Sequence, residues 1–239
     1  MHHNGSPAGS RIAAVLSGDP PLRVRLRPDA RARRFSLRVS HADGQVTLTY
    51  PPRAGRSAAL AFARDREDWL RATLARLPQG VDVAPGVSLP VLGVPLTLVA
   101  APVRRARRHD GGLLVPAGPG FGSAVARYLR DAARTRLETV CSDHSRVLGH
   151  PIAGIVLRDT RSRWGSCTAA GRLMFSWRLA LAPIEVMDYV AAHEAAHLVE
   201  MNHSPAFWRV VSDLCPDWQS RRSWLRREGG NLHRWRFCD

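Results

Sequence analysis

Two histidines four residues apart on a helix, with a glutamate between them, constrain this chain more than any other feature: His193-Glu194-Ala195-Ala196-His197. At 100° per residue, positions four apart lie about 40° from each other and one turn along, so both imidazoles can reach one ion. The glutamate lies beside that ion without being forced to bind it, where it can accept a proton from an activated water and pass it on. With 10 histidines in 239 residues, chance produces this pattern in about one such sequence in a hundred.

A tetrahedral catalytic site takes three protein ligands and keeps its fourth position open. His203, in Met201-Asn202-His203-Ser204-Pro205, is the third candidate. Six residues past His197 on a continuing helix is a swing of about 240°, so the helix has to end first. Asn202 tolerates the left-handed conformation that ends helices, and Ser204-Pro205 caps and opens the next one. Glu200 is the rival third ligand, three residues past His197 and still on the helix. The ten-residue spacing of the outer histidines matches the metzincin pattern, but Glu200 stands where that pattern has glycine, and no Met-turn follows.

Further segments surround this core: Arg163-Trp164-Gly165-Ser166-Cys167, Ser176-Trp177-Arg178-Leu179, Leu181-Ala182-Pro183, Asp188-Tyr189-Val190, Asn202-His203-Ser204 and Phe207-Trp208. In this order they resemble the YgjP-like metallopeptidase-like domain proteins, relatives of the SprT-like and minimal gluzincin-type zinc proteases. The resemblance runs from about Leu22 to Leu225. It implies one zinc per chain on His193, His197 and His203, with Glu194 as catalytic base, in a zincin-like helical domain. Family members are described variously as metal-dependent hydrolases, peptidases and nucleotide pyrophosphatases, so the resemblance leaves the substrate open.

Around this site the residues suggest secondary roles. Arg163 or Ser166 can face the cleft and stabilise an oxyanion; equally, Trp164 fills core, Gly165 permits a tight turn and Arg163 pairs with a carboxylate. Arg161 to Cys167 reads as a loop joining two strands, and this hairpin can present an exposed edge strand that holds an extended substrate by backbone hydrogen bonds. Tyr189, one turn before His193, is a candidate transition-state donor or a packing residue. Asp188 and Asp213 are candidates to orient a ligand imidazole. Phe207, Trp208, Val211 and Leu214 recur at helical spacing and read as core.

The expected fold is α+β, with an antiparallel β-rich N-terminal unit followed by the zincin-like domain carrying a small β-hairpin and the HExxH helix. Met1 to Pro21, rich in Gly, Ser, Pro and His, reads as a leader outside the fold. Short alternating strands follow, with Asp43-Gly44 as a turn, and then one helix over Ser57 to Leu77 closed by Pro78 and Gly80. More strands run to Val115, and the Gly/Pro-rich Pro116 to Gly122 marks the boundary. The expected domains are therefore 1–21, 22–118 and 119–239. A long helix (Ser123 to Leu148), strands at Ile152 to Leu157 and Arg172 to Trp177 with a polar loop between them, and three helices complete the chain. No internal repeat is visible in the sequence.

Four widely spaced cysteines without a CxxC pair fit neither a disulfide framework nor a thiolate zinc site. No run approaches the roughly 18–20 apolar residues of a membrane span, so a cytoplasmic protein without membrane contact is expected. All 35 basic residues are arginine, against 20 acidic ones, for a net charge of +15. A Lys-free chain indicates compositional bias, which weakens charge as a sign of a polyanionic partner. Basic clusters lie at Arg23 to Arg38, Arg104 to Arg108 and Arg221 to Arg236. They read first as solvated surface, although Trp224 and Trp235 within the last also suit stacking on nucleic-acid bases. The leading expectation is a zinc-dependent metallopeptidase acting on a peptide or protein. Two alternatives are a metal-dependent nucleoside triphosphate pyrophosphohydrolase and a nucleic-acid-binding module with structural zinc.

Overall fold

Strands, helices and their connections are described for residues 12–40, 44–76 and 80–238 of a computed structural model. The chain forms two compact units, Met1–Gln79 and Gly80–Asp239. The class is α+β, as expected.

In the first unit, β1 (Ile12–Leu16), β2 (Leu22–Pro28), β3 (Ser36–Val39) and β4 (Val46–Tyr50) form one sheet in the order β1-β2-β4-β3. β1 pairs residue for residue with β2 from Ile12–Leu26 to Leu16–Leu22. The expected leader is thus a strand at 12–16, where Ala14 and Leu16 enter the core; residues 1–11 lie outside the described residues. The sheet is mixed rather than antiparallel, because β2 and β4 pair in parallel. Residues 29–35 carry the chain past the end of β4 to β3, which then pairs antiparallel on its far side. Asp43, in the expected turn, lies outside the described residues. One sheet face is apolar by strict alternation, with Val24, Leu26, Val46 and Leu48 buried. Two helices cover it, α1 (Gly55–Arg64) and α2 (Glu67–Ala75), rather than the single helix expected. At the break the Arg66 N–H turns back to the Ala63 carbonyl (3.3 Å), and Ala59, Ala63 and Leu70 all reach the same core. Leu77 and Pro78 lie outside the described residues.

The second unit opens with a short strand, β5 (Val81–Asp82), and repeats the same sheet topology. Here β6 (Ser88–Val91), β7 (Val94–Ala101), β8 (Arg107–His109) and β9 (Gly112–Pro116) lie in the order β6-β7-β9-β8, again with the central pair parallel. The duplication is one of topology, and the two sets of side chains differ enough to hide it in the sequence. The break expected at 118/119 falls inside this unit. Leu89, Leu96, Leu98, Leu113 and Val115 of the sheet share one core with Phe121, Val125 and Leu129 of the long helix α3 (Phe121–Leu148). Leu92 and Gly93 both have positive φ (50° and 84°), the two-residue turn that suits a twisted hairpin. A Cβ on Gly93 would sit 3.2 Å from the Pro183 Cα, so glycine also lets this turn rest on the start of the next helix but one.

Beyond α3, β10 (Gly154–Arg158), β11 (Gly165–Cys167) and β12 (Arg172–Ser176) form a three-stranded sheet with β12 central and β11 at an edge. The hairpin is β11–β12, while β10 and β12 run parallel, so the loop expected between two strands contains a third. A 3-10 turn over Trp177–Leu181 leads into α4 (Ile184–Ala196), followed by α5 (Pro205–Leu214), α6 (Trp218–Glu228) and a closing strand β13 (Trp235–Arg236), parallel to β5. Trp235 is buried and Trp224 is half-buried against the same core. Among the described residues no helix is long and apolar enough to cross a membrane.

Candidate active site

α4 is apolar almost all round, with Val186, Met187, Val190 and Ala191 buried, and it carries His193 and Glu194 in its last turn. His197 is the C-cap residue, so the helix ends earlier than expected. Asn202 does not adopt the left-handed conformation expected of it. It acts through its side chain, whose Oδ1 accepts the Ser204 N–H at 2.8 Å. Ser204 in turn caps α5, its Oγ accepting the Phe207 N–H at 3.3 Å, with Pro205 in the first turn. This bend returns His203 to the other two histidines.

His193, His197 and His203 each offer a ligand atom, and these atoms lie within 4.8 Å of one another. The Nε2 atoms of His193 and His203 are 3.2 Å apart. Tetrahedral coordination with zinc–nitrogen bonds of 2.0–2.1 Å places ligand nitrogens about 3.3 Å apart, so this pair already stands at ligand spacing. A carbonyl can only accept, so the 2.9 Å contact between His197 Nδ1 and the Glu200 oxygen fixes the proton on Nδ1 and leaves Nε2 free to ligate. Glu200 therefore contributes its backbone carbonyl, and its carboxylate is outside the cluster. Burial first, and then the neighbouring His197 and His203, push His193 down to about 4. Burial also lowers His203, with His197 adding to the effect. Neutral imidazoles crowded in this way are suited to a cation and resist protonation. The donor set fits zinc.

Phe207, fully buried, has its ring centroid 4.9, 4.5 and 4.8 Å from those of His193, His197 and His203. It forms an apolar floor under all three, a role that the core reading of its helix did not foresee. Trp208 stands 5.8 Å from His193 and stacks on Trp218 at 4.4 Å. Tyr189 is buried and meets the His193 ring edge-on at 6.1 Å.

Glu194 is only 6% exposed. Burial pushes its carboxyl up to about 7, with the Arg163 guanidinium pulling it down in opposition. Gly165 lies against it: a Cβ there would sit 2.5 Å from Glu194 Oε1 and 2.6 Å from its Cγ. Gly165 has no positive φ. It is glycine because edge strand β11 passes directly against the glutamate, and the signal available in sequence was an isolated glycine inside a strand pattern. By alternation Ser166 faces away from Glu194, whereas Cys167 faces it. The Cys167 thiol is accordingly raised by burial and by Glu194. Asp188 does not orient an imidazole. Its carboxylate receives Arg136 Nε at 2.8 Å and Nη2 at 2.5 Å, tying α4 to α3, and Asp213 is exposed. Beside His197 opens a cavity of ≈ 250 Å³ lined by Leu198, Met201, Pro151, His150 and the turn Thr168–Gly171.

This α+β unit with its HExxH helix defines a hydrolase domain of the metallopeptidase class. The chain belongs to the YgjP-like family, whose metallopeptidase domain matches residues 33–228. Among solved structures, the metallopeptidase zymogen of Pyrococcus abyssi abylysin is similar, at 22% identity and a TM-score of 0.35, over 39% of this chain and 92% of that one. No curated protein matches the chain.

Proposed function

We propose that this chain is a zinc-dependent peptidase in which His193, His197 and His203 hold the metal and Glu194 is the general base. The observation that carries this reading is the convergence of three imidazoles beside a buried carboxyl held near neutral. Zinc, when bound, supplies Lewis acidity that polarises a carbonyl and brings a water's pKa to about 7. Glu194 takes the proton of that water and returns it to the departing amine. Gly165 fixes the carboxyl in place, and Phe207 packs against the three imidazoles and keeps water from beneath them.

An extended substrate segment fits the outer side of edge strand β11, where main-chain groups can pair as in strand addition. This gives β11 a backbone role and leaves no side-chain role for Ser166. Arg163, exposed and close enough to act on Glu194, remains the candidate for charge stabilisation of the oxyanion. Tyr189 serves as packing beside His193. The cavity beside His197 takes an apolar substrate side chain, and four unpaired cysteines fit a reducing, cytoplasmic setting.

The test is Glu194→Gln assayed on unfolded protein and on nucleoside triphosphates. Retained zinc with peptide hydrolysis lost supports the reading. Undiminished hydrolysis contradicts the base assignment, and nucleotide cleavage without peptide cleavage moves the reaction to a phosphoanhydride.

A further inference from the structure

The first unit has a sheet face that the peptidase reading does not use. Strand alternation sends Val24 and Leu26 of β2 into the core and Arg23, Arg25 and Arg27 to the opposite side. In register across the parallel pair, Arg25 lies beside Thr47 and Arg27 beside Thr49. Across the next pair, Arg38 of β3 lies beside Thr47. The open face therefore carries four arginines and two threonines on three adjacent strands. At roughly 3.3 Å per residue and 4.8 Å per strand, the arginines span about 13 Å along β2 and about 10 Å across to β3.

No aspartate or glutamate lies on β1, β2, β3 or β4. Arg25 donates to the neutral Gln45 Oε1 at 3.1 Å, and Arg27 pairs with Asp29, just past the end of β2, at 3.1 Å. Where β2 and β4 end, the chain forms a hollow of ≈ 740 Å³ lined by Arg31, Arg33 and Arg53 with alanines and prolines. The arginines on the face and in the hollow lie in one unit and add up to seven.

Compositional bias does not account for this placement, because the same chain contains its own control. The sheet of the second unit has the same strand order, and its open face carries Thr97, Val99 and Leu114, with Arg107 and His109 at the edge strand. The topology is the same, yet one sheet presents four arginines and the other one.

We propose that the open face of β2, β4 and β3 binds the phosphodiester backbone of nucleic acid, with no selection among bases. Guanidinium groups take phosphate oxygens in pairs of hydrogen bonds, and threonine hydroxyls add neutral donors. Among the described residues these strands carry no aromatic ring on this face, and the exposed Val15 of β1, in register with Arg23, is too short to wedge between bases, so the contacts position a backbone and read no sequence.

The test is fluorescence anisotropy with the full chain and two probes, a DNA duplex of about 20 base pairs and an RNA strand of similar length, from about 50 to 200 mM salt. Four phosphate contacts at a slope near 0.9 each predict about a 100-fold loss for the duplex across that range. R23Q/R25Q/R27Q/R38Q is expected to lose at least about tenfold in affinity at low salt and most of the salt slope. R104Q/R105Q/R107Q/R108Q, which removes the same charge from exposed residues of the second unit, is expected to stay within about threefold. Should the first variant unfold, R23Q/R38Q neutralises two of the four arginines and is expected to lose about half the slope. Equal losses in the two charge-matched variants would overturn the proposal. So would parental binding that is insensitive to salt, or a polyglutamate peptide of matched charge bound as tightly as either nucleic acid.

Discussion

Replacing Gly165 by alanine adds one methyl group, and the structure places that methyl inside the Glu194 side chain. Its distances would be 2.5 Å to Oε1, 2.6 Å to Cγ and 2.7 Å to Cδ. Carbon contacts are comfortable at about 3.5–4.0 Å, so the carboxyl must retreat by roughly 1 Å. The atoms in the way belong to a side chain rather than to backbone, which keeps the folding cost near the lower end of the roughly 1–3 kcal/mol typical of overpacking. The catalytic cost is larger, because a displacement of about 1 Å in a positioned group is worth on the order of 100-fold in rate. Gly165→Ala should therefore keep its zinc and its KM and lose about 100-fold in kcat on a fluorogenic peptide. The double variant Gly165→Ala/Glu194→Gln should fall no further than Glu194→Gln alone, because both act through one carboxyl. A Gly165→Ala protein within about threefold of the parent in kcat would refute the view that β11 sets the position of the base.

Burial raises the Glu194 carboxyl in the metal-free protein, so the folded state binds its proton more tightly than the unfolded state does. Stability from this group is complete below pH 4.5 and is lost as pH rises through about 7. In urea melts of metal-free protein, the stability of Glu194→Gln relative to the parent should rise across that window by up to about 3 kcal/mol; a difference that stays flat with pH would contradict it. Asp188→Asn, which breaks the Arg136 pair between α3 and α4, should cost about 1–2 kcal/mol in the same assay and leave zinc affinity unchanged. A large loss of zinc affinity would restore Asp188 as an imidazole partner. Ala170→Phe fills the cavity beside His197 and should depress kcat/KM at least about tenfold for peptides with bulky apolar side chains next to the cleaved bond, sparing those with glycine there. Uniform effects on both peptide classes would remove the cavity from substrate binding.

The clustering of the three histidines was legible in the sequence because its logic is local: helical spacing pairs His193 with His197, and the punctuation Asn202-His203-Ser204-Pro205 brings back the third imidazole. Even there the mechanism differed, since Asn202 bonds through its side chain instead of adopting a left-handed backbone. What escaped were contacts between elements distant in sequence. Gly165 against Glu194, Phe207 beneath three imidazoles and Arg136 on Asp188 join residues whose meeting no periodicity encodes. Strands were found by alternation, but alternation is blind to partner and direction, so the parallel β2–β4 pair was missed, and the three-residue β11 was too short to stand out from the loop in which it lies. β1 was lost because a five-residue strand lies beside a stretch rich in Gly, Ser and Pro. The domain boundary followed the richest Gly/Pro segment, whereas the chain divides where one apolar core ends and another begins, and that is a property of packing.

Metal analysis by mass spectrometry on the purified parent and on His203→Ala tests the three-histidine site most directly. About one zinc per chain in the parent, with most of it lost in the variant after dialysis against a mild chelator, is the expected result. Zinc retained undiminished in His203→Ala, or a parent that takes up no zinc at all, would contradict it.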